Sequence, residues 1–102
     1  MVEWSGPAKR DLRQIYDYIA QDSKYYAKCV VQKIVDKSQS LEPFPKVGRM
    51  VPEINDPNVR EIFIYSYRLI YEIRANSLGV LAIVHGMRDF SNSNLDMLKR
   101  KK

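Results

Sequence analysis

Residues 60–84 read REIFIYSYRLIYEIRANSLGVLAIV, and the fold depends on how that stretch divides. Residues 60–65 and 67–74 interleave polar and apolar side chains and are rich in Ile, Tyr and Phe, the pattern of strands. A tight turn near Ser66 separates them, and Asn76, Ser77 and Gly79 make the next turn. Residues 80–84 are continuously apolar, as expected of a strand covered on both faces or lying centrally in a sheet. Upstream, residues 47–51 form a further short strand closed by Pro52, and Asn55-Asp56-Pro57-Asn58 is a loop.

Before Pro45 the period is helical. Val2-Glu3-Trp4 reads as a short strand, followed by Ser5 as a helix N-cap and Pro7 in the first turn, where a missing N–H costs nothing. Ala8, Leu12, Ile15 and Ile19 fall on one face of an amphipathic helix. Asp22-Ser23 breaks it and supplies a second N-cap. Ala27, Val30, Val31, Ile34, Val35, Ser38 and Leu41 then continue at helical spacing until Pro43 and Pro45 end the run. Two helices joined by so short a link lie antiparallel. The expected fold class is α+β: an N-terminal helical hairpin packed on one face of a small, mainly antiparallel sheet. The opposite sheet face, with no helix to cover it, is where function is expected. Residues 1–90 form one domain and residues 91–102 a basic tail or short helix.

Charge sharpens this picture. The formal net charge is +5, from 17 Lys+Arg against 12 Asp+Glu, but Lys99, Arg100, Lys101 and Lys102 supply four of the cations. The body of the chain is nearly neutral. The first 40 residues carry five Lys and two Arg, whereas residues 47–90 carry Arg49, Arg60, Arg68, Arg74 and Arg88 and no Lys. Arginine's planar fork suits fixed contacts with carboxylates or phosphates, and Glu53, Asp56, Glu61, Glu72 and Asp89 share the region. Internal ion pairs and an anion-facing surface are both open readings; Arg60 beside Glu61 and Arg88 beside Asp89 suggest pairing. Cys29 stands alone, so neither a disulfide framework nor a metal-ligand spacing is expected, and no cofactor is implied. No apolar run approaches the ~18–20 residues of a membrane span. The opening MVEWSGPAKRD lacks a signal-like apolar region, and the expected location is the cytoplasm.

Five pieces occur in a telling order: Pro45-Lys46-Val47-Gly48-Arg49, Pro52-Glu53, Arg60-Glu61-Ile62, Tyr67-Arg68-Leu69-Ile70-Tyr71 and His85-Gly86-Met87-Arg88-Asp89. Together with Trp4-Ser5, Ala8, Asp11-Leu12 and Ile15, they resemble ParE-type toxins of the ParE/RelE superfamily of bacterial and archaeal toxin–antitoxin systems. The resemblance covers about residues 2–90. It implies the compact RelE/ParE toxin fold and a cognate antitoxin partner, joined in a toxin–antitoxin hetero-oligomer with no membrane role. It also implies one of two targets. ParE-like members poison DNA gyrase and block replication without cleaving bonds themselves; RelE-like members cleave mRNA on the ribosome. A non-toxic binding module on the same fold is a third possibility.

The site residues divide along the same line. For metal-free RNA cleavage, His85 and Glu53 would exchange protons while Arg68 and Arg88 hold the phosphate. Against this, RelE-like nucleases cluster Lys and Arg on the sheet and often place a C-terminal Tyr by the scissile phosphate. Here no Lys follows Lys46 in the sheet region, and Phe90 has no hydroxyl. The reading adopted is a gyrase poison in which Arg49, Arg60, Arg68, His85, Arg88 and Phe90 face the target or the antitoxin. Trp4, Tyr67 and Tyr71 are expected in the core, with Arg68 pointing outward. Tyr16, Tyr18, Tyr25 and Tyr26 crowd the hairpin as interface or as packing. Gly48 and Gly86 are expected to serve backbone geometry.

Overall fold

The computed structural model describes residues 1–85. Elements run β1 (Val2–Trp4), α1 (Gly6–Ala20), α2 (Lys24–Ser40), β2 (Arg49–Met50), β3 (Val59–Ile64), β4 (Tyr67–Ile73) and β5 (Leu78–His85). Gly86, Arg88, Asp89, Phe90 and the basic tail lie outside the described residues. No described helix is long and apolar enough to cross a membrane.

Both expected caps form. Ser5 Oγ accepts the amide of Ala8 at 3.1 Å and donates to the carbonyl of Leu81 at 3.0 Å. It therefore both starts α1 and fastens it to the sheet. Ser23 Oγ accepts from the amide of Tyr26. Ala8 and Ile15 of α1, and Ala27, Val30, Ile34 and Ser38 of α2, face inward. The buried Ser38 hydroxyl is satisfied by donating to the carbonyl of Val35.

The sheet order is β1-β5-β4-β3-β2. β1 runs parallel to β5, and every other pair is antiparallel. β5 is thus interior, as its apolar run requires; alternation gives it side chains on both faces, and a bulge shifts that alternation midway along the strand. Ile70 pairs with Ala82 but Tyr71 pairs with Val80, so Leu81 is an inserted residue. In consequence Leu78, Val80 and Ile83 join the core under the helices, while Leu81, Ala82 and Val84 join a second cluster on the opposite face. That face is not bare. Val51 and Ile54 fold back from the β2–β3 connection and are buried with Val59, Ile70, Leu81, Ala82 and Val84.

The strand expected over residues 47–51 is shorter. Pro45–Val47 form a 3-10 turn and the strand is confined to Arg49–Met50. The turn is pinned from the sheet: the buried Tyr71 hydroxyl donates to the carbonyl of Pro45 at 2.6 Å and accepts the amide of Gly48 at 3.0 Å. At the β3–β4 turn, the two linking residues are Tyr65 and Ser66, and Tyr65 carries a positive φ of 56°, a backbone state uncommon for a bulky side chain.

Candidate functional site

Alternation along β3 and β4 places Glu61, Phe63, Arg68 and Ile70 on the face away from the helices, because Tyr71, Leu69 and Tyr67 occupy the helical side. Arg49 stands opposite Glu61 in the register, on that same outer face. The result is a compact polar cluster. Glu61 is 1% exposed and receives Arg68 through Nε at 2.8 Å and through Nη2, while its other oxygen receives Arg49 Nε. Arg68, 6% exposed, also reaches both carboxylate oxygens of Glu53 at 3.4 Å. The guanidinium carbons of Arg49 and Arg68 lie 5.6 and 5.8 Å from the centroid of the Phe63 ring, itself 53% exposed, within cation–π range.

This corrects two expectations. Arg68 does not point outward to solvent; it is buried and paired with Glu61 and Glu53. Nor does Arg60 pair with Glu61, because neighbours in a strand point to opposite faces. Arg60 instead lies on the helical side and donates to the carbonyls of Gly48 and Pro57, both at 2.9 Å. It buttresses the loops that flank β2.

His85 also stands apart from the Arg68 cluster. It pairs with Tyr67 across β4–β5, whereas Arg68 pairs with Val84, so His85 is on the helical face. Its ring meets the Tyr67 ring edge-on at 5.8 Å between centroids. Here α1 and the end of the sheet form an open groove of about 610 Å3 whose lining includes Asp11, Gln14, Tyr18, Tyr67, Ile83 and His85. Asp11 helps shape it by accepting the amide of Ile83 at 3.0 Å, beyond the reach of β1. Of the residues proposed for RNA cleavage, the structure therefore joins Arg68 to Glu53 and puts His85 on the other side of the sheet; Arg88 lies outside the described residues. Of the proposed contact residues, Arg49 is substantially exposed at the cluster's rim.

Three features were not anticipated: Glu61 as a buried hub, Phe63 as an exposed aromatic under two guanidinium groups, and Tyr71 as a clamp on the Pro45–Val47 turn. The Arg60-Glu61-Ile62-Phe63 alternation carries a partial signal, since it puts Glu61 and Phe63 on one face. Nothing in the sequence says which face that is.

Burial raises the pKa of the Tyr71 hydroxyl, with smaller opposing effects from the Gly48 amide and Arg60; burial likewise raises that of Tyr67, reinforced by Tyr18 and Tyr26. A raised pKa in the folded state means that folding favours the protonated phenol. This contribution is complete below about pH 10, the unfolded value, and is lost as pH rises through the folded values. Stability is therefore expected to fall steeply above about pH 10. Tyr71→Phe should flatten that decline while lowering stability at neutral pH by roughly 1–3 kcal/mol, because the Gly48 amide loses its partner. An alkaline melting profile unchanged by Tyr71→Phe would refute the assignment.

Comparisons with known proteins fit this architecture. Residues 2–90 match the family model described as ParE toxin of type II toxin–antitoxin system, parDE. Among solved structures, a chain of the chromosomal ParDE toxin–antitoxin system from P. aeruginosa superposes with a TM-score of 0.69 at 24% identity, covering 82% of this chain and 92% of that one. A chain of the RelBE2 toxin–antitoxin complex from Mycobacterium tuberculosis gives 0.57 at 21% identity, with 83% and 95% covered. The YoeB dimer from Staphylococcus aureus gives 0.56 at 18%, with 81% and 92% covered. A search of curated proteins gives no match.

Proposed function

Because the chain belongs to the ParE toxin family of type II toxin–antitoxin systems, we propose that it arrests growth by binding and poisoning DNA gyrase in the cytoplasm, and that a cognate antitoxin silences it in a hetero-oligomeric complex. The observation that carries the choice of gyrase over RNA cleavage is the separation of His85 from Arg68 and Glu53 by the sheet. Strand cleavage needs a base for the attacking 2′-hydroxyl, an acid for the leaving oxygen and cations on the phosphate, all converging on one point. Arg68 is buried against Glu61 and Glu53, so its charge is compensated within the protein and is unavailable to a phosphate. His85 has Tyr67 as its ring neighbour.

The test is supercoiling of relaxed plasmid by purified gyrase with rising amounts of this protein. Inhibition or trapped cleaved DNA, relieved by the antitoxin, is expected. Full supercoiling at toxin excess, together with mRNA cut in a ribosome assay, would overturn the proposal. In growing cells His85→Gln should arrest growth as the parent chain does. Abolished toxicity with the fold intact would give His85 an active role and return the enzyme reading to the front.

A further inference from the structure

The turn between α2 and β2 is held from within and from the sheet. The amides of Phe44 and Val47 donate to the carbonyls of Leu41 and Phe44, both at 3.1 Å. The Tyr71 hydroxyl donates to the Pro45 carbonyl and accepts the Gly48 amide. Arg60 Nη1 donates to the carbonyls of Lys46 at 3.4 Å and Gly48 at 2.9 Å. Two side chains of the sheet, one of them a buried tyrosine, thus fix the backbone from Pro45 to Gly48.

What this fixed backbone presents is exposed. Phe44 and Val47 are 71% and 69% exposed, and no residue of the Pro45–Val47 turn is buried. Single exposed apolar side chains are ordinary. Two large ones on a turn already ordered by the sheet are different, because a partner that covers them has little backbone freedom left to remove. Lys46, exposed, lies between them in the chain, and the side chain of Arg49 just beyond is 61% exposed although one of its nitrogens serves Glu61. An apolar centre with a charged rim is the composition of a protein interface.

We propose that this turn is a contact the toxin makes with its target. Phe44 and Val47 enter a preformed apolar pocket on the folded enzyme, DNA gyrase in the reading above, and Lys46 and Arg49 meet carboxylates at the pocket's rim. The inference deepens that reading and rests on it. Shape and charge choose the occupant. A fixed, exposed turn fits a cavity that already exists on a folded surface. Its cations favour an acidic rim over a second copy of this basic chain, which would bring the same cations to the contact. Phe44, Lys46 and Val47 take no part in the Glu61–Arg68 cluster or in the groove beside His85, so the contact can be removed without disturbing either.

The test is gyrase supercoiling with the full chain and with Phe44→Ser, Val47→Ser and Lys46→Glu, each also measured for melting temperature and for affinity to the cognate antitoxin. The positions are exposed, and unchanged melting temperatures will show that the folds are intact. Each variant should need a concentration more than about tenfold above the parent's to inhibit gyrase, the scale of losing an interface anchor, while its antitoxin affinity stays at the parent value. Parent-like inhibition by all three would overturn the contact and leave the gyrase reading standing. A parent chain that does not inhibit gyrase would overturn both. Antitoxin affinity lost in place of gyrase inhibition would assign the turn to the antitoxin and overturn the proposal. So would a concentration-dependent dimer of the parent that Phe44→Ser abolishes, since the occupant would then be a second copy.

Discussion

Glu61→Gln is expected to lower the stability of the folded chain by roughly 2–4 kcal/mol, the cost of leaving buried Arg68 with only its longer contact to the partly exposed Glu53 as counterion. The side chain of Glu61 is fully buried and that of Arg68 is 7% exposed, so water does little to screen either charge. The glutamine keeps the shape but not the charge, and it turns donors toward guanidinium groups that are themselves donors. Arg49 contributes little to the loss, because its exposed side chain can return to solvent. For a domain of this size the change corresponds to a fall in melting temperature of more than about 10 °C. Replacing both partners, as Glu61→Met with Arg68→Met, should recover much of the loss, since an apolar pair of similar volume avoids the desolvation of two ions. Calorimetry on the two single variants and the double decides the matter. Additive losses would mean that the two residues are not coupled and that this account of the cluster is wrong.

The second large effect comes from Gly48→Ala. With φ of −74° and ψ of 159°, Gly48 occupies extended backbone open to any residue, so conformational freedom is not the reason for glycine. Space is. A Cβ at this position would stand 2.4 Å from the Tyr71 hydroxyl and 2.7 Å from the backbone carbonyl oxygen of Glu61. Neither can retreat easily: Tyr71 is buried and bonded to Pro45, and the Glu61 carbonyl belongs to β3. Were the space open, alanine would stabilise by about 0.4–1 kcal/mol through the unfolded chain. Instead a loss of roughly 1–3 kcal/mol is expected from overpacking, with the hydrogen bond between the Gly48 amide and Tyr71 strained further. The sign of the change in melting temperature is thus diagnostic: a rise would show that the turn yields and that Tyr71 does not clamp it.

Much of the architecture was legible in the residues. Ser5 and Ser23 sit before helical periods and act as caps, since an N-cap needs only a short oxygen-bearing side chain at the right place. Ala8, Ile15, Ala27, Val30 and Ile34 face inward because the 3.6-residue period leaves one stripe to bury. The apolar run at residues 80–84 announced an interior strand, and β5 lies between β1 and β4. The candidate site was legible only as residue types. A period of two states that Glu61 and Phe63 share a face, yet it cannot state which of the two faces meets the helices. That ambiguity is why Arg68 was expected in solvent and is buried; the pairing of Arg60 with Glu61 failed on alternation alone, which sends neighbouring residues to opposite faces.

By itself, then, the sequence determined the helical hairpin, the strands and the family pattern, because caps, periods and turn residues act over a few neighbouring positions. The tertiary structure alone decided the rest. It paired β1 with β5 across 76 positions, from Val2 to Leu78. It inserted Leu81, which shifts the residues of β5 that face each core, set His85 and Arg68 on opposite faces, and limited β2 to Arg49 and Met50. Each of these depends on register between segments distant in the chain, and register is settled by which side chains can be buried together, a property of the assembled sheet and not of any one segment.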